Sequence, residues 1–320
     1  MKAWVGVDVS KLTLDICWFT AGNPTHLKVT NDPSGFRELL NNLPVDSHVV
    51  MEATGAYYLR FAHYLVTHSI QVSVVNPVSI RRFAQMKLSR VKTDKYDSAI
   101  IASYGESQEP VHWQIPDVKI LELQQLCSLE EQLIVNKGAL TNQLEAFSKS
   151  PFASKAAIKM LSKKIKSDEQ DLKALNAQIE SISMENYGRQ VEILNSIPGM
   201  GMKTTVCLIV ATKGFRETTD GRSLCAYAGL SPRPYQSGTS VKGKGRISKM
   251  GNRSLRNKLY MCSLTAIRFN PACKAFYTRL RKNGKPAKVA LIAVASKLLR
   301  QAAAMIKSNK LFDERLAFGA

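Results

Sequence analysis

Four acidic residues stand where a divalent metal ion could bind. Asp8 interrupts the apolar, strand-like run of residues 3–9, and Glu52 ends a second apolar run. Asp94 and Asp97 are one helical turn apart, so their side chains share a helix face and repel each other unless a counterion is present. Carboxylate oxygens are the ligands that Mg²⁺ prefers, and two such ions can flank a scissile phosphate. The pattern therefore indicates phosphoryl transfer on nucleic acid.

Each of these acids also has an ordinary structural explanation. Thr93 or Asp94 could be a helix N-cap, and Asp97 could be favoured by the helix dipole in the first turn. Glu52 could be a surface residue at a strand end. These explanations suffice for each acid alone, whereas the set of four, in a chain with a strongly basic second half, favours a metal site.

The first 115 residues predict a mixed α/β sheet that positions the acids. Three strand patterns come first and form a meander, and helices then alternate with strands as far as residue 75. The predicted strands are 3–9, 12–19, 26–30, 47–52 and 72–75, and the predicted helices are 33–43 and 55–68. Asp8 and Glu52 are then expected on neighbouring central strands.

The positive charge of the chain is concentrated near its C-terminus. The formal net charge is +20, and residues 221–320 hold 21 Lys or Arg but only two acids. Such one-sided basicity is expected of a protein that binds a phosphate backbone, DNA or RNA. Binding to a membrane surface is disfavoured because the basic region lacks a strongly amphipathic helix with Trp or Phe on its apolar side.

Length and cysteine content exclude several protein classes. A chain of 320 residues can form two or three domains. Its six cysteines are scattered without a C-x-x-C pair, which argues against a zinc site and a disulfide framework. The chain starts with a strand pattern, and we expect no apolar stretch of the roughly 20 residues that span a bilayer. A soluble, cytoplasmic protein without a membrane partner is predicted.

Residues 118–182 predict long helices that form a hairpin or coiled coil. Six apolar residues and Asp168 share the a and d positions of one heptad frame. The apolar members are Leu161, Ile165, Leu172, Leu175, Ile179 and Ile182. This stripe could form a dimer seam or could pack on the protein's own core.

Two further segments could contact nucleic acid. The turn Pro198-Gly199-Met200-Gly201, followed by Lys203, resembles a helix-hairpin-helix element, whose backbone N–H groups hold a phosphate. A helix-turn-helix connection needs similar glycines for geometry alone.

The second segment is the tract of residues 231–256, which is rich in glycine, serine and cations. Its cations are Lys242, Lys244, Arg246, Lys249, Arg253 and Arg256. A nucleophilic serine here would lack the usual partner, because no histidine follows His112. Activation would have to come from metal ions, from Lys or Arg, or from carboxylates of the N-terminal domain. Spacing does not choose among Ser237, Ser240, Ser248 and Ser254.

Five motifs in order resemble the DEDD-type insertion-sequence transposases, a family of bridge-RNA-guided serine recombinases. They are GVDVSK at 6–11, MEATGAYY at 51–58, VKTDKYDSA at 91–99, IPGMG at 197–201 and AGLSPRPYQSGTSVKGKGRISKMGN at 228–252. The resemblance spans nearly the whole chain. It implies a RuvC-like domain of RNase H fold at 1–115, a helical coiled-coil region at 116–186 and a mostly α-helical transposase domain at 187–320.

The resemblance also implies roles for particular residues. The family's acidic tetrad falls on Asp8, Glu52, Asp94 and Asp97, and its catalytic serine on Ser237. Ser237 would attack a DNA phosphate and form a covalent phosphoserine link, with Mg²⁺ held by the tetrad of a partner protomer. Ser98 and Thr239 are mild departures from the family pattern, in which Ala often follows the last acid and Ser follows the Ser-Gly step.

The implied function is RNA-guided DNA recombination by homodimers or tetramers, with donor and target DNA and a noncoding bridge RNA as partners. One alternative is a RuvC-like nuclease that uses metal-activated water, for which Ser237 is only a phosphate contact. Another is a non-catalytic nucleic-acid binder. It is disfavoured because a binder would gain from lysine at the four acidic positions.

Overall fold

The chain forms two compact units, Met1–Ile115 and Pro116–Ala320. The computed structural model describes residues 2–87, 93–216, 220–233, 236–237, 241–242 and 246–317. Each unit has its own hydrophobic core. The predicted division into three domains stays a prediction.

The first unit is built on a five-stranded sheet. Its elements are β1 (Ala3–Val9), β2 (Thr13–Thr20), β3 (Asn23–Thr30), α1 (Pro33–Asn42), β4 (Ser47–Glu52), α2 (Tyr57–Thr67), β5 (Gln71–Val75), α3 (Pro77–Met86) and α4 (Asp94–Gln108). The strand order is β3-β2-β1-β4-β5, in which β2 is antiparallel to both neighbours and β4 is parallel to both of its neighbours. The predicted mixed α/β domain is confirmed, and its topology is consistent with an RNase H-like fold.

Alternation along the strands gives the sheet two different faces. On one face, Val5 and Val7 of β1 pack with α1 and α2 in a core that includes Phe36 and Phe61. On the other face, Val50 of β4 packs with side chains of α3 and α4. The acidic residues Asp8 and Glu52 belong to this second face, because they follow Gly6 and Val50 at a spacing of two residues.

Helix α4 lies directly on β1. A Cβ atom on Gly6 would come within 2.2 Å of both the Ser98 carbonyl oxygen and the Ala102 backbone nitrogen. A Cβ atom on Gly105, further along the helix, would lie 2.8 Å from the Trp4 ring. Since α4 passes from Gly6 toward Trp4 as it proceeds, it runs antiparallel to β1. Its N-terminal turn therefore lies at the carboxyl end of the strand, where Asp8 is.

The second unit is mostly helical. Its elements are α5 (Val118–Ser148), α6 (Lys155–Asn195), α7 (Met202–Ala211), α8 (Gly221–Tyr227), β6 (Pro232–Arg233), β7 (Gln236–Ser237), β8 (Val241–Lys242), β9 (Arg246–Ile247), α9 (Arg253–Phe269), α10 (Pro271–Lys282), α11 (Ala287–Ser308) and α12 (Glu314–Ala317). One continuous core joins parts of α5 and α6 to α7, α8, α9 and α11. The predicted helical region after the sheet is confirmed.

The predicted heptad stripe of α6 includes the buried residues Leu175, Ile179 and Ile182. Its polar member, Asp168, is also buried, and its Oδ1 lies 2.6 Å from the Lys164 Nζ. The hairpin partner α5 contributes an ion pair of 3.1 Å between Lys137 and Glu169. The stripe therefore packs partly on the protein's own core, and dimerisation through it stays a prediction.

Helix α11 corrects one expectation from the sequence. It is 22 residues long and apolar enough to cross a bilayer by length and composition. Its Leu, Ile, Val and Ala residues provide this hydropathy, and 56% of the apolar stretch is buried within the protein. Val294, Leu298 and Ala302 of α11 are part of the core of the second unit. The helix thus has the burial of a core helix.

Adding a methyl group at Gly6 should destabilise the first unit selectively. Gly6→Ala forces α4 away from β1, and overpacking of this kind costs roughly 1–3 kcal/mol or more. All three tryptophans, Trp4, Trp18 and Trp113, belong to the first unit, so their fluorescence reports its unfolding by denaturant. Gly138→Ala is the control, because no described atom lies within 4 Å of a Cβ there and alanine favours the helix by about 1 kcal/mol. An unchanged fluorescence midpoint for Gly6→Ala would contradict the close contact.

Candidate active site

Asp8 and Glu52 lie side by side at one edge of the sheet. The parallel register of β1 and β4 pairs Val7 with Met51, so the next two residues are neighbours on the same face. Both side chains are partly buried. The expectation that they occupy neighbouring central strands is confirmed.

The first turn of α4 brings Asp97 to the same edge. Thr93 is the N-cap of α4, and its hydroxyl accepts a hydrogen bond from the Tyr96 backbone N–H at 3.3 Å. Asp94 is therefore the first helical residue rather than the cap, and its side chain lies outside the described part of the chain. Ser98 is buried, and its hydroxyl donates to the Lys95 carbonyl at 3.0 Å.

Burial raises the pKa of Glu52 above its ordinary value. The Thr54 hydroxyl, which lies 3.5 Å from Oε1, and the positive charge of Arg81 oppose this shift, and the negative charge of Asp97 adds to it. Glu52 and Asp97 are thus close enough for each charge to disfavour the other. A cation bound between them would remove that repulsion.

Asp15 is a further carboxylate on this face of the sheet. It stands directly opposite Asp8 in the antiparallel pair of β1 and β2, so both side chains point the same way. Asp15 is buried, and its Oδ2 lies 3.1 Å from the Nζ of Lys28 on β3. The sequence contains a signal for it, because Asp15 interrupts an apolar strand just as Asp8 does.

The donor set fits Mg²⁺ by its chemistry. Asp8, Glu52 and Asp97 supply hard carboxylate oxygens from two parallel strand ends and one helix start. Within the described residues, which omit the Asp94 side chain, no group of three or more His, Cys, Asp or Glu is close enough to hold an ion. A closed ligand cluster is therefore not formed by the described side chains alone.

The base of the serine tract is held by close backbone contacts. The Lys249 N–H donates to the Gly229 carbonyl at 3.2 Å, and the Asn252 N–H donates to the Tyr227 carbonyl at 2.8 Å. A Cβ on Gly251, which has a φ of 131°, would come within 2.0 Å of the Tyr227 oxygen. The chain just before the tract, at Gly229, therefore contacts the tract at Gly251, and this closure needs glycine.

Arg256 contributes to the same closure. Its Nη1 donates to the Ala228 carbonyl at 2.9 Å, and its guanidinium lies 2.6 Å from where a Gly229 Cβ would be. The side chain is half-buried, whereas Arg253, three residues earlier on α9, is exposed. Arg256, predicted from the sequence as a nucleic-acid contact, thus has a partner within the protein.

Ser237 is in a short antiparallel ladder, where it pairs with Val241. A second ladder, in which Arg233 pairs with Arg246, lies closer to the base of the tract. Two successive strand pairs therefore connect the base of the tract to the backbone of Ser237. The side chains of Ser237 and Lys242, and the whole of Lys244, lie outside the described part of the chain. Arg246 and Lys249 are exposed.

The predicted glycine turn joins α6 to α7. Gly199 has a φ of 100°, and a Cβ on it would come within 2.7 Å of the backbone of α9. Gly201 is the N-cap of α7. Lys203 forms an ion pair with the buried Glu130, and Lys258 on α9 forms one with Glu131. The two lysines and the two glycines line an open groove of about 720 Å³.

Replacing Glu52 should stabilise the first unit. Because burial makes its ionised form unfavourable, Glu52→Gln should raise the midpoint of thermal unfolding at pH 7, as followed by tryptophan fluorescence. Asp32→Ala is the control, and it should lower the midpoint of thermal unfolding at pH 7. Asp32 caps α1, and hydrogen bonds from Ser34 and Gly35 lower its pKa to about 2, so its stabilising effect is present at pH 7. A lower midpoint for Glu52→Gln would show that Glu52 stabilises the fold.

Replacing Arg256 should loosen the serine tract. Arg256→Gln removes the guanidinium that holds the Ala228 carbonyl, so trypsin should cut within residues 232–250 several times faster than in the unchanged protein. Arg253→Gln, which removes an exposed charge from the same helix, should leave the cleavage rate unchanged. Equal rates for the two variants would mean that Arg256 does not hold the tract.

Comparison with known proteins covers most of the chain. Residues 5–153 match the DEDD transposase domain of IS110-type elements, and residues 191–278 match the transposase family IS116/IS110/IS902. The pilin gene-inverting protein of Moraxella lacunata is 31% identical over 326 residues, which is 98% of this chain and 99% of the relative. That of Moraxella bovis is 30% identical over 327 residues, with the same coverage of both chains.

A third relative, a protein of an insertion element, matches a shorter part of the chain. An uncharacterized 43.6 kDa protein of element IS110 from Streptomyces coelicolor is 29% identical over 147 residues, 46% of this chain and 36% of the relative. Two family matches thus follow each other along the chain, and a relative of 31% identity spans nearly its whole length. The chain therefore belongs to the IS116/IS110/IS902 family of transposases.

Proposed function

We propose that this protein is a DNA recombinase that cuts and rejoins DNA through a covalent phosphoserine at Ser237, with Mg²⁺ bound by Asp8, Glu52, Asp94 and Asp97. The observation that carries the proposal is the meeting of Asp8, Glu52 and the first turn of α4 at one edge of the sheet. Two relatives that span the whole chain are named for inverting a pilin gene, which supports DNA inversion or transposition as the outcome.

The proposed reaction leaves the number of phosphodiester bonds unchanged, because one forms for each one that breaks. The Ser237 oxygen forms a bond to phosphorus, the bond from phosphorus to one DNA oxygen breaks, and the serine proton ends on that oxygen or on solvent. Rejoining reverses these steps with the hydroxyl of another strand, so no high-energy cofactor is consumed. Mg²⁺ would neutralise the charge that develops on the phosphate oxygens.

The protein's own residues have distinct tasks in this scheme. The carboxylates would hold the metal. The contacts among Tyr227, Gly229 and Gly251 fix the base of the tract from which Ser237 is presented. The cations Lys242, Lys244, Arg246, Lys249 and Arg253 neutralise backbone phosphates, as do the N–H groups at the turn of Gly199 and Gly201.

RNA guidance is the second part of the proposal. In this arrangement a noncoding RNA pairs with donor and target DNA, and the protein contacts mainly backbone and shape, as in other RNA-guided effectors. The resemblance of the five motifs supports it. The strongly basic C-terminal part supplies the positive charge that is needed to bind RNA and DNA together. The protein would act in this assembly as a homodimer or tetramer.

A hydrolytic nuclease is the second candidate. DEDD-type transposase domains typically use a divalent metal, and carboxylates on a sheet edge suffice to activate water. In that case Ser237 would be only a phosphate contact, and no bond between protein and DNA would form.

A covalent adduct between protein and DNA separates the two candidates. The protein, expressed with its element's flanking noncoding DNA, is incubated with labelled junction DNA and Mg²⁺ and analysed on a denaturing gel. We expect a labelled protein band that Ser237→Ala abolishes, while Ser240→Ala, in the same tract, retains it. Asp97→Asn should lower its formation at least about 100-fold, because a misplaced metal loses the electrostatic stabilisation of the transition state.

One control and one contradicting outcome complete the experiment. Nuclease treatment of the RNA before DNA is added should remove adduct formation on target DNA if the RNA guides it. Cleavage of DNA without any adduct, and unchanged by Ser237→Ala, would overturn the phosphoserine mechanism and support the hydrolytic nuclease.

A further inference from the structure

A strongly basic surface lies on α10 and the start of α11, away in sequence from the serine tract. We call it the α10 surface. It consists of Lys274, Arg279, Arg281, Lys282, Lys285 and Lys288, all of which are exposed. The segment from 271 to 288 contains no acidic residue. Six positive charges are therefore held within 18 residues.

These cations lack acidic partners in the described part of the chain. The acids of residues 221–320 are Asp313 and Glu314, and α12, which begins at Glu314, packs near α10. Neither acid forms an ion pair with a cation of the α10 surface in the described residues. By contrast, Lys203 and Lys258 near the glycine turn are each paired with a glutamate. The α10 surface thus retains its charge for an external partner.

The helix dipoles do not account for all of these charges. Arg279, Arg281 and Lys282 lie in the last turn of α10, where cations are favoured. Lys274 lies close to the start of α10, and Lys288 is the second residue of α11. A cation near a helix N-terminus is unfavourable by about 0.3–1 kcal/mol. At these two positions the positive charge opposes local stability, so a requirement other than helix formation explains it.

An open groove on α10 is lined by hydrogen-bond donors. Its volume is about 590 Å³, and its polar side chains are Lys274, Thr278, Arg279, Lys282 and Asn283. Each of them can donate to an oxygen, and none of the described residues that line the groove has a carboxylate. The Arg279 guanidinium lies 5.3 Å from the centre of the Phe276 ring, which limits the directions it can take. The donor set suits phosphate oxygens.

We propose that the α10 surface binds the sugar-phosphate backbone of duplex DNA, at a place separate from the serine that forms the covalent link. The proposal rests on the proposed function, since it takes DNA as the substrate. Helix α10 has 12 residues and is therefore about 18 Å long, so its cations can follow several phosphates along one strand of a duplex. Single strands are usually bound by stacking their bases on aromatic rings, and the Phe276 ring of α10 is already covered by Arg279 and Lys297.

The salt dependence of DNA affinity tests the α10 surface. The triple variant Lys274→Gln, Arg279→Gln, Lys282→Gln is compared with Lys155→Gln, Lys159→Gln, Lys163→Gln, which removes three exposed charges from α6. Each phosphate that the protein no longer neutralises reduces the steepness of log K against log salt by about 0.9, so we expect a fall of about 2.7 for the first variant and little change for the second. Equal slopes for the two variants would overturn the proposal.

Two further arms separate this proposal from the recombinase mechanism. All affinities are measured in a Ser237→Ala background and with EDTA in place of Mg²⁺, so binding is read without cleavage by either mechanism and remains informative if the phosphoserine mechanism fails. With Ser237 intact, the α10 triple variant should form the covalent adduct at an unchanged rate when DNA is saturating. A loss of adduct at saturation would place the α10 surface in the chemical step and overturn a pure binding role.

The kind of nucleic acid is decided by a parallel titration with single-stranded RNA. Phe269, at the end of α9, exposes 67% of its surface and could stack on an unpaired base. If the slope falls with RNA but not with duplex DNA, and Phe269→Ala weakens the RNA complex, the surface belongs to RNA and the duplex proposal is wrong.

Discussion

The contact of the α4 backbone with β1 at Gly6 fixes where the candidate metal ligands stand. Strand β1 supplies Asp8, β4 supplies Glu52, and the helix start supplies Asp97, so these side chains can share a site only if the helix lies close and antiparallel on the strand. A side chain at residue 6 would prevent that approach. The same orientation points the positive end of the α4 dipole at the carboxylates, which offsets part of the cost of gathering negative charge there.

The sequence predicted the first unit well because its strands alternate regularly and its helices begin at clear signals, such as Asp32 before Pro33. It predicted less of the second unit. The partners of Lys203 and Arg256 come from residues 73 and 28 positions away, and no local pattern encodes such contacts. Asp15 can be recognised as unusual from the sequence, since it breaks an apolar strand. Its position opposite Asp8 cannot, because that depends on the register between β1 and β2. Helix α3 was not anticipated either.

The cations of the second unit fall into two energetic classes. Those near the hairpin and the glycine turn, such as Lys137 and Lys258, are matched by glutamates, so they contribute little net field. Those from α10 onward repel one another and raise the free energy of the folded protein when it is alone. A polyanion relieves this repulsion. Folding and binding are therefore coupled through charge, and the protein should be more stable in complex with nucleic acid than when free.

The contact between Gly229 and Gly251 means that the fold places little constraint on the length of the segment between them. Because Gly229 and Gly251 meet at the base, the segment between them is a closed loop whose anchoring does not depend on how many residues it contains. Doubling the length of such a loop costs only about 0.6 kcal/mol of closure entropy. Related proteins can therefore lengthen or shorten this segment, and so change how far the serine reaches toward its phosphate, while the helices beneath it stay as they are.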